Sequence, residues 1–475
     1  MEPTSESIQA TLHVGDGAGV LRFSRAKMVQ GLFWVYMLSL AFDFRSDQVG
    51  GTWVQYAFCC IGLVASMLVL FVKPLRLQIH GIRWIVVLFG SFLVLSTFSG
   101  VLYGAEFGNG ARVALPFVFF FISVLMVDAL WSCAVNVTWV LGVMTVVAFI
   151  STGWTAFQAL FIHRIPMDEM RYQILSPTIP YLFAYGLVGV TMRTSHRTYP
   201  GLAMVLVLAL ALISVTRSMV LLVGCGVMAL ALTLWFAGML RQIPLLRPKK
   251  LVYLGPICGL LVVGGIASAY YLRPDLLEQW VGRLFWRDSV ATGQDPTAMT
   301  RIAEWQGIWN SIEKAHGALL WGKGFGGTYL WDGDYREFLL PYAGAEVFDV
   351  AQWSPPHSMW VQLGFCGGAF GIVLVGFVFF IVARRVLAAC RDAKQRRERE
   401  IYQLILAVTA CACFLSQSFT SSPLGTRLSG MFLGLCTAIV VLFPNPRGLD
   451  STNSQSVKPA ARTGPDIHSK HSHSA

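Results

Sequence analysis

The feature that most limits what this chain can fold into is a succession of apolar runs separated by short polar breaks. Each run is about 15 to 25 residues long, the length a helix needs to cross a ~30 Å hydrocarbon layer. Twelve can be counted, at roughly 28–42, 53–72, 82–102, 111–127, 130–150, 175–192, 199–216, 218–237, 251–272, 357–383, 401–418 and 428–443. The stretch 199–237 is interrupted only by Thr216-Arg217-Ser218. As one helix it would be about 58 Å long, twice the thickness of the apolar layer, so it must turn near Arg217 and cross twice. A charged fraction of 13% in 475 residues is about half that of soluble proteins. The fold class expected is an all-α polytopic membrane protein of about 12 transmembrane helices, with one large, partly helical outer loop.

Charge orients the helices. Arg22, Arg25, Lys27; Lys73, Arg76, Arg83; Arg193, Arg197; Arg241, Arg247, Lys249, Lys250; seven residues within 384–399; and Arg447, Lys458, Arg462, Lys470 fall in alternate loops. That collects 23 of the 36 basic residues on one side, which the positive-inside rule makes cytoplasmic together with both termini. The net charge of +11 is therefore a membrane signature, and no nucleic-acid partner is expected. The first ~20 residues are polar and lack a small-residue cleavage site after Arg22, Arg25 and Lys27, so no cleavable signal peptide is expected. The chain divides into a cytoplasmic segment (1–27), nine spans (28–272), the large outer loop (273–356), three spans (357–443) and a Ser-, Lys- and His-rich tail (444–475) read as disordered. None of the ten cysteines falls in the large loop, so no disulfide staples it.

That loop is unusually long for a connection between spans, and long loops are functional or disordered. Its aromatics and the turn Gly322-Lys323-Gly324-Phe325-Gly326-Gly327 favour an ordered, functional loop. Apolar residues at 302, 305, 308, 309 and 312 follow a 3.6-residue period, predicting a helix that starts near Thr297 or Thr300, with Thr300 as N-cap and Arg301 on the first turn. The helix dipole disfavours a cation there. Arg301 is thus either the partner of Glu304 in a surface ion pair or a ligand-binding guanidinium. Arg217 has the same two readings, a rim residue reaching headgroups or a fork for phosphate, which Arg recognises with paired N–H donors. His357 follows Pro355-Pro356 and opens the next apolar run, where its near-neutral titration suits a general base. The glycines at 364, 367, 368 and 371 predict close helix packing behind it.

Weaker candidates are Asp332-Gly333-Asp334, read as a solvated turn in preference to a metal-holding pair, and Asp43 and Asp47 in the first outer loop. No carboxylate falls near the centre of a run, which argues against an ion-coupled transporter, since those need an ionisable relay inside the membrane.

An Arg at an outer hairpin turn, a large outer loop with Arg301-x-x-x-Trp305 and Gly322-x-Gly324-x-Gly326, and a His opening the next run with Gly364 and Gly371 behind it form one pattern. It resembles the bacterial O-antigen ligase and O-antigen polymerase superfamily. The resemblance implies an inverting, metal-independent glycosyltransferase without a cofactor, in the inner membrane with its active site on the periplasmic side. The implied partners are an undecaprenyl-diphosphate-linked glycan donor, a glycan or lipid A–core acceptor, and membrane lipids. Carried over by position, Arg217 and Arg301 would grip the diphosphate and His357 would activate the acceptor hydroxyl. The loop would cover the glycan, with Trp305, Trp309, Trp331 and Trp353 as candidate sugar platforms, at least half of them expected to pack instead. Gly324 and Gly326 would be glycan or loop contacts. Ser358 stands where the family commonly has Asn, which bears on the subfamily more than on the reaction. A ligase is favoured slightly over a polymerase. The other readings are a lipid-linked glycan flippase and a class C polyprenyl-phosphate glycosyltransferase using Asp43 or Asp47.

Overall fold

The computed structural model describes residues 16–42, 53–73, 75–165, 173–192, 198–214, 216–241, 267, 271, 274, 296–353, 356–392, 397–419 and 421–443. Among these the chain is helical, without strands. The first eight helices are α1 (Asp16–Ser39), α2 (Trp53–Val72), α3 (His80–Leu102), α4 (Phe107–Ser132), α5 (Val137–Phe157), α6 (Ile179–Thr191), α7 (Thr198–Ser214) and α8 (Arg217–Arg241). A polar lobe follows, with α9 (Pro296–Glu313), α10 (Ala318–Trp321), α11 (Arg336–Ala343) and α12 (Glu346–Asp349). The bundle is completed by α13 (Met359–Arg391), α14 (Glu398–Ser416) and α15 (Arg427–Leu442).

Seven helices are long and apolar enough to cross a membrane: α2, α3, α4, α5 with its π-helical extension Gln158–Ile162, α8 from Ser218, α13 and α14. Helices α6, α7 and α15 are apolar but shorter, α1 begins well before the run expected at 28–42, and the run 251–272 lies outside the described residues. The outer surface of the bundle remains apolar, with Phe71, Val94, Phe98 and Val220 all exposed. Exposed large apolar side chains on long apolar helices define a multi-pass helical membrane protein.

The frame is held by small residues where helices meet. Helix α15 is buried from Leu428 to Leu442, and its Gly430 and Gly434 lie against the backbone of Pro116 and Phe120 in α4. A Cβ at either position would overlap a carbonyl oxygen, so glycine is what lets these backbones touch. Gly186 and Gly189 of α6 receive Pro200 and Met204 of α7, and Gly226 of α8 receives Phe183 of α6 and Cys413 of α14.

Helix α13 departs from the sequence expectation. At 33 residues it would span about 50 Å if straight, well beyond the apolar layer. It is broken at Gly368, whose φ of 60° and ψ of −156° belong to no helix. The piece from 369 onward is still long enough to cross. The piece 359–367 folds back, because a Cβ on Gly371 would lie 3.1 Å from Leu363 O, eight residues earlier. The notch admits the lobe: the backbone of Leu320 and Gly322 fills the space a Gly368 side chain would need. A broken helix leaves carbonyls without their i+4 donors. Phe365 O is satisfied instead by Lys323 N at 2.7 Å. His357 therefore precedes a short, separate helical segment rather than opening a continuous span.

Candidate active site

Helix α9 begins at Pro296, four residues before Thr300, so Thr300 is inside the helix and Arg301 lies on its second turn. The buried face is Ala303, Glu304, Gly307, Ile308 and Ile312; Ile302, Trp305 and Trp309 point outward. The apolar period thus located the helix, but only Ile308 and Ile312 of its five residues lie on the buried face. The reason is Gly307, over which the chain at Leu330 passes so closely that a Cβ would overlap its carbonyl. The crossing segment is fixed by Tyr329 and Gln352, which exchange backbone hydrogen bonds of 2.9 and 2.7 Å.

That crossing delivers Tyr329 to Glu304. The Tyr329 hydroxyl donates to Glu304 Oε1 at 3.0 Å, while its ring meets Phe365 edge-on with centroids 5.4 Å apart. The other carboxylate oxygen, Oε2, accepts from His357 N at 3.1 Å and lies 3.0 Å from His357 Nδ1. Glu304 is only 5% exposed, whereas the His357 side chain is 58% exposed. A carboxylate can only accept, so the tautomer that satisfies this contact carries its proton on Nδ1 and leaves the Nε2 lone pair for the open side. Glu304 is thus not the surface partner of Arg301. It is a buried carboxylate that orients the histidine.

The next residues anchor the imidazole from below. Ser358 Oγ donates to Ser418 O at 3.2 Å, in the 3-10 turn Gln417–Phe419 after α14, and Ser422 Oγ donates to Gln362 Oε1. Helix α7 runs back along α6, with Pro200 at Gly189 and Met204 at Gly186, so α8 starts at the end of the bundle that carries this turn. Arg217 is its first residue; its side chain lies outside the described part of the structure. Arg301 is half-buried one turn before Glu304. The fold therefore gathers Arg217, Arg301 and His357 toward one end of the bundle from three separate elements.

The four tryptophans differ in exposure and contacts. Trp305 is 60% and Trp309 44% exposed, the latter donating from Nε1 to Glu313 Oε1 at 2.8 Å. Trp331 packs edge-on against Phe348, and Trp353 stacks on Arg112. The glycine turn is a docking device. Gly322, Gly324 and Gly326 have φ of 72°, 77° and 80°, and Cβ atoms there would strike Cys366 and Gly367, Gly100, and Gly110 respectively. All three are buried, so Gly324 and Gly326 contact helix ends, where no glycan has room. Phe325 between them enters the core beside Phe92 and Phe117. Lys323 Nζ reaches Ser311 Oγ and Thr328 O at 2.9 and 3.0 Å, and its burial lowers its pKa.

Asp332 is an N-cap: its Oδ1 accepts from Asp334 N at 3.0 Å and its Oδ2 from Asn310 Nδ2 at 3.1 Å. Among the described residues no three His, Cys, Asp or Glu side chains cluster as metal ligands. Asp43 and Asp47 lie outside the described residues. Glu304 and Tyr329 are what sequence reasoning missed. Glu304 carried a signal, since it falls four residues before Ile308 and eight before Ile312, on the buried face, where an acid needs a partner. Tyr329 carried none.

A scan against protein-family models and a search of curated proteins each returned no match for this chain.

Proposed function

We propose that this protein is an inverting glycosyltransferase of the O-antigen ligase or polymerase type, moving a glycan from undecaprenyl diphosphate to a sugar hydroxyl at the periplasmic face of the bacterial inner membrane. On this reading the chain has about 12 spans and both termini in the cytoplasm, and the lobe 296–353 covers the glycan. The observation that carries the proposal is the buried Glu304 holding an exposed His357 by Nδ1.

A sugar hydroxyl is a weak nucleophile, and a positioned base contributes about 10²–10⁴-fold to its attack. His357 Nε2 would take the hydroxyl proton as the oxygen bonds to the anomeric carbon. The bond from that carbon to the diphosphate oxygen breaks, and its electrons leave with undecaprenyl diphosphate. Arg217 and Arg301 would stabilise the charge growing on the leaving group, which preorganised donors do best at a dry edge. Attack from the face opposite the leaving group inverts the anomeric carbon. The Glu304–His357 pair favours chemistry over passage, because a translocation path has no need for an oriented base.

The test is incubation of detergent-solubilised protein with labelled lipid-linked donor and acceptor. Product from wild type and a rate about 10²–10⁴-fold lower from H357A is the expected outcome; no product from wild type, with transport in liposomes, would establish a flippase instead. Lipid A–core as the accepted substrate marks a ligase, and a second lipid-linked glycan marks a polymerase.

A further inference from the structure

Arg112, on the second turn of α4 at the site end of the bundle, is a cation the sequence did not single out. Its Nε donates to the Tyr56 hydroxyl at 2.7 Å, and its Cζ lies 5.4 Å from the centroid of the Trp353 ring and 5.9 Å from that of Tyr56. The residue is half-buried, and no described carboxylate pairs with it. Such a cation is poorly compensated, since cation–π contacts at a half-exposed site are weak. The geometry does something else: the Nε edge is tied to Tyr56, and an aromatic ring covers the guanidinium plane. Among the described residues nothing accepts from the two terminal NH2 groups, whose shared edge is the one that binds a phosphate or carboxylate through two parallel hydrogen bonds.

The position relates it to the histidine. Trp353 and His357 are four positions apart in the chain, so their Cα atoms can be no more than about 14 Å apart. Phe325 O contacts Gly110, one half-turn before Arg112, so the docked lobe and this cation share a seam. We propose that Arg112 is an anion-binding residue of the same site, taking the diphosphate of a polyprenyl-linked donor; this rests on the transferase reading given above. Aromatic clamping fixes the guanidinium before the ligand arrives, so little side-chain freedom is lost on binding.

The test is direct binding to full-length protein in detergent, by calorimetry, of geranylgeranyl diphosphate, inorganic diphosphate, geranylgeraniol and a hexuronate disaccharide. Arg112→Gln is expected to weaken geranylgeranyl diphosphate at least tenfold and leave geranylgeraniol unchanged. Arg112→Lys keeps charge without the planar fork and should weaken it about fivefold; this variant decides the matter if Arg112→Gln does not elute as a monodisperse peak. Unchanged diphosphate affinity in the folded variants overturns the proposal, as does a loss confined to the hexuronate, which would make the ligand an acidic sugar. Wild-type binding of the diphosphate lipid that weakens in the variants, with no glycan product from the donor, would keep the anion site and defeat the transferase reading. Product formation with an unchanged donor KM in the variants would do the reverse.

Discussion

Two seams in this protein are built on glycine, and they use it differently. Between α4 and α15, Gly430 and Gly434 are ordinary helical residues whose missing side chains let two backbones approach. Between the polar lobe and the bundle, Gly322, Gly324 and Gly326 also lack room for a Cβ, but each has positive φ as well. The first seam joins two rigid, apolar helices. The second fastens a folded lobe into a notch that exists only because α13 breaks at Gly368. It adds aromatic contacts, with Phe325 between Phe92 and Phe117, and polar ones, including the buried Glu304 with three hydrogen bonds from Tyr329 and His357. The frame and the chemistry are thus held by separate devices, and the difference can be tested by damaging each alone.

The largest effect should come from the chemical side. His357→Ala is expected to lower glycan transfer by about 10²–10⁴-fold while the protein elutes and melts as wild type, because the exposed ring supports little packing. A drop in melting temperature matching the loss of transfer would make His357 structural.

Next is the lobe seam itself. Gly324→Ala meets both the Gly100 backbone and an unfavourable φ, and should cost about 3 kcal/mol or more, with transfer lost as the lobe undocks. Gly430→Ala meets only crowding, so a cost of about 1–3 kcal/mol is expected. Equal costs by thermal unfolding would erase the distinction between the seams.

Glu304→Gln keeps an acceptor for Nδ1 and removes the charge, and should reduce kcat about tenfold with little change in KM. Glu304→Ala leaves the Tyr329 hydroxyl without this acceptor and adds about 1–3 kcal/mol of destabilisation. A Gln variant slower only through KM would contradict the orienting role.

Smallest is a pair on the lobe surface. Arg336 binds Asp349 with two hydrogen bonds of 2.6 and 2.8 Å, and these hold the Asp349 carboxyl below the usual carboxylate range. A depressed carboxyl stabilises the fold above its unfolded pKa of about 4, and the contribution is lost as pH falls through the folded value. Both partners are exposed, so Asp349→Asn should lower the melting temperature only slightly at pH 7 and low salt. The difference should vanish near pH 2. A difference that persists there would not be ionic.

What was legible in the sequence follows from local rules. Apolar runs of membrane-crossing length announced a helical membrane protein, and the break at Thr216-Arg217-Ser218 announced the α7–α8 turn, because a helix twice the layer's thickness cannot be accommodated. The glycines at 367 and 371 announced close packing, and both lie against Phe92. The period at 302–312 found α9, but not which flank faced inward, since that depends on the Leu330 crossing from farther along the chain. The break in α13 was hidden for a similar reason. Gly368 permits the turn, but residues 320–322 filling the notch make it the favoured state.

The sequence by itself determined the class of protein, because hydrophobic length and charge placement act residue by residue against the membrane. It also supplied Arg217, Arg301 and His357 as the side chains worth following. Only the tertiary structure decided that His357 would be held by Glu304, 53 residues earlier, and that Tyr329 would complete the carboxylate's bonds. Buried polar groups must find partners, and which partners they find depends on how a docked lobe crosses itself, which no local pattern encodes.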